Sequence, residues 1–508
     1  MKDMESGALS SRLKTNIDQV YRLLGRSSDV VIKDLQIEEN TYISLIYIDG
    51  LVDTQVLHNS ILYSLQENTP HKQLENLNPE QKIDIIKTQI LIAGDLNIIN
   101  DFSRFLHELL SGSVMLLLDG TSLSLQISLP GWEDRSVGEP SSMVLRGPME
   151  GFTENLRTNT ALIRRKIKDS HLWLETFQIG KVTQTSVSIM YLSNIANKEL
   201  VEEAKRRLSK IDTDSILESG YIEEFIQEKR FTPFPTVFNS DRPDSIAAGI
   251  LEGKVAILVD GTPFVLMIPS FFVAFFQSPE DYYQRADITI LLRCIRVVAF
   301  FLSMFAPSLY VAITTFHPEM IPTNLVISLA SQRETVPFPA FVEALFMELT
   351  YEILREGGVR IPKNVGQAIS IVGTLVIGQA AVAAGLVSSA KVIIVSITAI
   401  SSFVIPQLGM SIAVRMIRFI FIFLAGFMGL YGILFGVFLL VLHLASLNSF
   451  GMPYMSPIGP FDPKDLKDTI VRLPWPLLKT RPVENKTQNL VRQNTSDERE
   501  AENEQKNN

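Results

Sequence analysis

The residues whose types and spacing could do chemistry are Arg333, Glu343, Glu348, Glu352 and Arg355, all close before an uncharged run. Ionisable groups beside lipid face protein, water or an ion. Their chemistry is therefore electrostatic rather than bond-making. In one reading the acids pair with Arg333, Arg355 and Arg360 and only orient their helix. In the other, Glu343, Glu348 and Glu352 line a cation path or gate it, provided that subunits surround an axis.

No catalytic residue is expected. Asp119 and Asp260 each precede a glycine, and Asp119-Gly120 and Asp260-Gly261 read as hairpin turns, because both turn positions tolerate positive φ. The chain has no phosphate-binding glycine loop and no nucleophile elbow, and its six histidines show no ligand spacing. Neither a metal nor a cofactor is expected. The single cysteine, Cys294, excludes a disulfide framework, and a net charge of -9 without a basic block argues against nucleic acid.

The elements that position the acids follow from periodicity. Residues 340–356 read as an amphipathic helix. At about 100° per residue, Glu348, Glu352, Arg355 and Glu356 form one polar stripe, with Glu343 on the opposite, apolar side. Pro337 and Pro339 mark its start, and Gly357-Gly358 with Pro362 its stop. From Val365 to Ala390 no charge occurs, enough to cross a hydrocarbon layer. The spans expected are about 290–314, 366–388, 391–409 and 411–447. Four spans leave both ends on one side but put Arg415 and Arg418 outside, against the positive-inside rule. The last run could break near Gly426, Gly429 or Gly432. Gly429, Gly432 and Gly436 share a helix face, which suits packing within the subunit or an oligomer seam.

Residues 1–285 look soluble and carry a repeat. LLSGSVMLLLDGT at 109–121 and ILEGKVAILVDGT at 250–262 agree at seven of thirteen positions. Residues 44–53 and 188–197 match at nearly the same offset, so one unit is used twice. Each unit reads as a strand (43–49; 185–192), a helix after Asp53 or Asn197, further helices (80–92 and 98–110; 199–209 and 221–229), and the Asp-Gly hairpin. The organisation expected is a flexible N-terminus (1–24), α/β subdomains at 25–145 and 146–285, a membrane domain at 286–450, and a tail at 451–508 that is disordered from about 483. The basic residues of a helix at 151–168 read as a solvated face or a contact for anionic lipid. No signal peptide is seen at the N-terminus, which places the soluble part in the cytoplasm.

Several long runs carry a resemblance: DGTPFVLMIPSFF, EDYYQR, IPTNLVISLASQRETVPFPAFVEALFMELTYEILREGGVRIP, GQAISIVGTLVIGQAAVAAGLVS and HLASLNSFGMPY. Over residues 25 to 480 the chain resembles the A subunit of spore-germination nutrient receptors, the GerA family. The resemblance implies a multi-pass protein of the spore inner membrane with its N-terminal domain and tail in the cytoplasm. It implies a transporter-like B subunit and a lipoprotein C subunit as partners, and a homo-oligomer that forms a nutrient-gated cation channel. The alternative is a non-conducting scaffold that couples the ligand-binding B subunit to cytoplasmic partners. The fold expected is an α/β soluble region of two related subdomains followed by an all-α polytopic membrane domain.

Overall fold

The computed structural model describes residues 7–38, 41–67, 77–91, 95–131, 138–140, 144, 146–360, 378–463, 465–469 and 471–493. Most of the span expected at 366–388 falls outside them. The chain divides into two units. One holds 1–227, 237–269 and 478–508, and the other 228–236 and 270–477.

The first unit is the α/β part, and its repeat is longer than the sequence motifs suggest. In the first copy, helix α1 (Leu13–Leu23) precedes β1 (Val30–Glu38) and β2 (Thr41–Ile48). Helical turns at 54–67 and 79–90 follow, then β3 (Leu96–Ile99), α2 (Phe102–Leu110), β4 (Ser113–Leu118) and β5 (Ser124–Ser128). The second copy runs α3 (Leu156–Lys166), β6 (Leu172–Ile179), β7 (Thr185–Leu192), α4 (Lys198–Ser209), α5 (Ser219–Ile226), β8 (Phe238–Ser240), α6 (Pro243–Leu251), β9 (Val255–Val259) and β10 (Val265–Ile268). The strand orders correspond, β1-β2-β4-β5-β3 and β6-β7-β9-β10-β8, with every pairing antiparallel.

Both faces of the first sheet are covered. Ile43, Leu45, Leu116 and Ile127 pack on the helical turns at 57–91, while Ile46, Ile48, Met115 and Leu117 pack on α1 and α2. Two buried faces explain the unbroken apolar run of β4, where a half-exposed strand would alternate. Residues 98–110, expected to be one helix, are split between β3 and α2, because Asp101 caps α2 by accepting from Arg104 N.

Gly120 and Gly261 take φ of 90° and 91° in the hairpin turns. The aspartates also do something that turn chemistry did not reveal. Asp119 Oδ1 accepts from Leu13 N, and Asp260 Oδ1 from Leu156 N, both at 3.0 Å. Each hairpin thereby caps the first helix of its own copy. Asn16 and Asn159, both buried, clasp the backbone of Ser10 and Thr153 in the same way. Helix α3 is therefore the opening helix of the second copy, equivalent to α1.

Of the basic residues of α3, Arg164 is buried, whereas Arg157 stays 74% exposed at the surface. Arg164 is buried and makes a two-point contact with buried Asp29, with Nη2–Oδ1 at 2.9 Å and Nε on Oδ2. Arg157 meets Asp49 at 2.8 Å, and Lys166 meets Glu150 at 3.2 Å. The edge of the Trp173 indole fills the space beside Gly25, whose φ is 62°.

Residues 483–493, expected to be disordered, follow a defined path. Gln488 N donates to Ile195 O at 2.9 Å, Asn485 Nδ2 to Glu252 O at 3.0 Å, and Arg492 Nη2 meets Glu252 Oε1 at 2.7 Å. Composition weighs apolar surface, and this segment is held instead by hydrogen bonds to the turns at 193–196 and 252–253.

One carboxyl of this unit titrates near neutrality. Burial, helped by nearby Glu218 and opposed by a hydrogen bond from Asn239, pushes Glu223 from its ordinary 4.5 up to about 7. The folded state thus holds a proton that the unfolded chain sheds. This stability is complete below the unfolded value and is lost as pH rises through about 7. Glu223→Gln is uncharged throughout. In thermal unfolding it should raise the transition at about pH 8 and leave it unchanged at about pH 4.

The second unit is helical. It contains α7 (Ala286–Phe316), α8 (Thr323–Arg333), α9 (Ala340–Arg360), α10 (Gly378–Ala383), α11 (Ser389–Val404) and α12 (Leu408–Ala445). Residues 270–285 and 446–477 pack with these helices. Phe272 N donates to Tyr454 O at 2.8 Å, and Ser270 N to Ser449 Oγ at 3.0 Å. α7 and α12 are long and apolar enough to cross a membrane.

α12 is not one rod. Gly429 has φ 60° and ψ -139°, which is closed to other residues. A Cβ on Gly436 would stand 2.6 Å from the Phe421 ring, and one on Gly432 would stand 2.2 Å from Leu424 O. In a straight helix, residues 421 and 436 would be about 22 Å apart. The chain therefore reverses at Gly429 and returns along itself. Gly429, Gly432 and Gly436 are filled from within, by Phe316, Leu424 and Phe421 of the same chain. The stripe packs within the subunit, one of the two roles its spacing suits.

The reversal fixes the direction of the other helices. Phe316, at the end of α7, touches Gly429, whereas Gly409 lies by Pro235. Limb 408–428 thus runs away from the start of α7, and limb 430–445 returns. α9 begins beside Gly426, where Phe341 packs, and descends past Arg418 and Arg415 to Ser402. It does not stop at Gly357-Gly358, because both glycines are helical and exposed. α11 descends likewise from Ser388, beside Tyr310, to Ser402, beside Ser411. α9 is therefore a full-depth member of the helical unit, and Arg415 and Arg418 lie in the half nearer the start of α7.

Candidate functional site

α9 brings its charged residues to the inside of the helical unit. Val342, Phe346, Leu349 and Ile353 are exposed, while Glu343, Ala344, Met347 and Glu348 are buried. On a helical wheel the buried residues fall between about 0° and 140° and the exposed ones between about 240° and 300°. The helix is inside out, apolar outward and charged inward, as a helix surrounded by hydrocarbon must be. Two corrections follow. Glu343 and Glu348 flank one inward face instead of opposing each other. Neither faces the exterior, since both have 0% exposure.

The contacts of these acids among the described side chains come from the helices that follow α9. Glu343 Oε1 accepts from Ser388 N and from Ser388 Oγ, each at 2.6 Å. Ser388 is the N-cap of α11, so the carboxylate sits at the positive end of that helix. Glu348 Oε2 lies 3.2 Å from Arg418 Nη1, with both side chains wholly buried. Glu352 Oε1 accepts from Arg415 Nη1. Arg355 donates to Ser402 Oγ at 3.5 Å and stands 5.0 Å over the Phe403 ring. Buried Lys391 lies 4.8 Å over the Tyr310 ring and interacts electrostatically with Glu348 and Glu343. Arg333, at the end of α8, has a buried Nε without a hydrogen-bond partner among the described residues.

The cluster unites three carboxylates (Glu343, Glu348, Glu352) with four cations (Arg355, Lys391, Arg415, Arg418) from three helices. Among the described residues, Glu343 Oε2, both Glu348 oxygens, Lys391 Nζ and the Arg418 nitrogens have no hydrogen-bond partner. Such buried groups are high in energy unless water or an ion completes them. Chemically, then, the site can clamp α9 to α11 and α12, and it can respond to an ion or to helix displacement. No group of three or more His, Cys, Asp or Glu suited to a metal occurs among the described residues.

Sequence reasoning passed over Lys391, Arg415 and Arg418 as partners. A signal was present, since Lys391 is the only charge between Lys363 and Arg415, and Arg415 and Arg418 sit one turn apart at the head of an otherwise uncharged helix.

The chain is similar to known proteins over nearly its whole length. The family described as "Bacillus/Clostridium GerA spore germination protein" matches residues 18–484. Spore germination protein KA of Bacillus subtilis is 48% identical over 96% of this chain and 89% of its own length. Spore germination protein GerLA of Bacillus cereus is 38% identical over 90% of this chain and 92% of its own. In the crystal structure of the N-terminal domain of the A subunit of the Bacillus megaterium spore germinant receptor GerK3, 98% of that chain aligns with 53% of this one, at 36% identity and a TM-score of 0.42.

Proposed function

Because the chain belongs to the GerA family of spore germination proteins, we propose that it is the A subunit of a nutrient-responsive germinant receptor in the spore inner membrane. It is multi-pass, with its N-terminal domain and tail in the cytoplasm and with a transporter-like B subunit and a lipoprotein C subunit as partners. Copies of the A subunit assemble into a nutrient-gated cation channel. Within that channel Glu343, Glu348, Glu352, Arg333 and Arg355 are gating residues, joined by Lys391, Arg415 and Arg418. The observation that carries this reading is the inward cluster of incompletely satisfied charges holding α9 against α11 and α12. Charges at such depth are costly and mark ion pathways or their control. Their neutralisation by cations of the same chain favours a gate over an acidic selectivity ring. In this reading the span expected at 366–388, which lies largely outside the described residues, joins α7, α9, α11 and the two limbs of α12 in a six-span path with both ends on one side and Arg415 and Arg418 on the positive inner side.

A second reading, a non-conducting scaffold for the B subunit, is supported by the outward face of α9, where Val342, Phe346, Leu349 and Ile353 present an apolar surface. Spores in which the gene is deleted and then restored test the proposal. Nutrient-triggered cation release and germination should disappear and return together. Germination lost while cation release persists would support the scaffold.

A further inference from the structure

A second feature of the helical unit lies away from the charge cluster. The first half of α7 and the returning limb 430–445 enclose a cavity of about 360 Å³ between Phe300, Met304, Leu440 and Leu444, with Phe272 and Ile458 across its end. It opens on the apolar exterior, where Phe301 and Val441 are more than half exposed. Its one charged lining residue is Arg293, itself buried.

Arg293 is only partly satisfied. Its Nε donates to Asp281 at 2.9 Å, and its Nη1 donates to Asp468 Oδ1 at 3.0 Å and to Thr469 O at 2.7 Å. Its Nη2 has no hydrogen-bond partner among the described residues. Arg296 shares Asp281 at 2.7 Å. Arg472 lies over the rings of Tyr282 and Trp475 beside it. Aromatic rings and arginines at the end of an apolar helix are what a protein presents to lipid headgroups.

We infer that this cavity holds one acyl chain of an anionic membrane lipid, whose phosphate is drawn to Nη2 of Arg293. The volume lies in the range of small-ligand pockets, from about 300 Å³ upward, and the lining sets apolar side chains beside a single guanidinium. Apolar walls converging on one buried guanidinium match an amphiphile with a single anionic end.

The inference rests on the membrane reading, which is tested separately by carbonate extraction of membranes from the same cells. The full chain, purified in mild detergent, is supplied with phosphatidylglycerol or phosphatidylcholine and weighed by native mass spectrometry. One phosphatidylglycerol should remain bound per chain, at about tenfold higher occupancy than phosphatidylcholine, the ratio expected of a charge-assisted hydrogen bond. Val441→Trp and Ile458→Trp, both at partly exposed positions on the cavity wall, should each remove that lipid. Ile412→Trp, outside the cavity, should keep it. Equal retention of the two lipids, or unchanged retention in both filled variants, would overturn the inference. Release of the chain by carbonate would overturn the membrane reading instead.

Discussion

Glu348→Gln is expected to cut the abundance of the full-length chain sharply, because it leaves Arg418 wholly buried with no carboxylate beside it. Breaking a buried pair from one side typically costs about 3–5 kcal/mol, an appreciable part of a protein's stability of about 5–15 kcal/mol. Lys391 aggravates the loss, since Glu348 is also its counter-charge. Arg418→Gln alone should do similar damage from the other side. The double variant, Glu348→Gln with Arg418→Gln, should recover most of the loss, since no charge is then unpaired across that contact. Abundance in membranes and thermal unfolding in detergent form the double-mutant cycle. Strictly additive losses would mean that the two residues do not act as a pair.

The second large effect is expected in the α/β unit. Asp29→Asn should lower its stability by about 3–5 kcal/mol, because Arg164 would be left buried without its carboxylate. Arg164 and Asp29 join the second repeat to the first, with the side chain of Trp173 seated on Gly25 beside them. Replacing both, Asp29→Leu with Arg164→Met, should restore much of the stability, since apolar side chains of similar volume can replace a buried pair at little cost. Denaturant midpoints for the unmodified full chain and the two variants give the comparison. A midpoint unchanged by Asp29→Asn would show that the joint does not depend on this pair.

Sequence and structure agree where local chemistry decides. The strands at 41–48 and 185–192, the two Asp-Gly turns and the apolar length of α7 could all be read from pattern alone. Their physics lies within a few residues of chain. The opening helices α1 and α3 were harder to recognise as equivalent, because only the side chains of Asp119 and Asp260, reaching across more than a hundred positions, reveal their common place. The reversal at Gly429 was legible as a possibility but not as a fact. A glycine permits positive φ without requiring it, and the packing of Phe421 against Gly436 makes the choice. The charge cluster was half legible. Its acids stand out against the apolar surroundings of α9, but a wheel does not say which way a polar stripe faces. In a helical unit with an apolar exterior the polar face turns inward, and Glu348 and Glu352 pack against Arg418 and Arg415. The tail was misread because hydrogen bonds to turn carbonyls leave no trace in composition.

The account's central claim is that the ion pairs of α9 hold a gate shut. Glu352 offers the cleanest test, because its side chain keeps 33% exposure and its pair with Arg415 can be broken with the least harm to folding. Receptor complex carrying Glu352→Gln should be reconstituted in liposomes, and cation flux recorded before and after nutrient. The account predicts a raised flux before nutrient, the same choice among cations as the unmodified receptor, and a smaller increase on nutrient addition. Flux indistinguishable from the unmodified receptor before nutrient, at equal protein content, would contradict it.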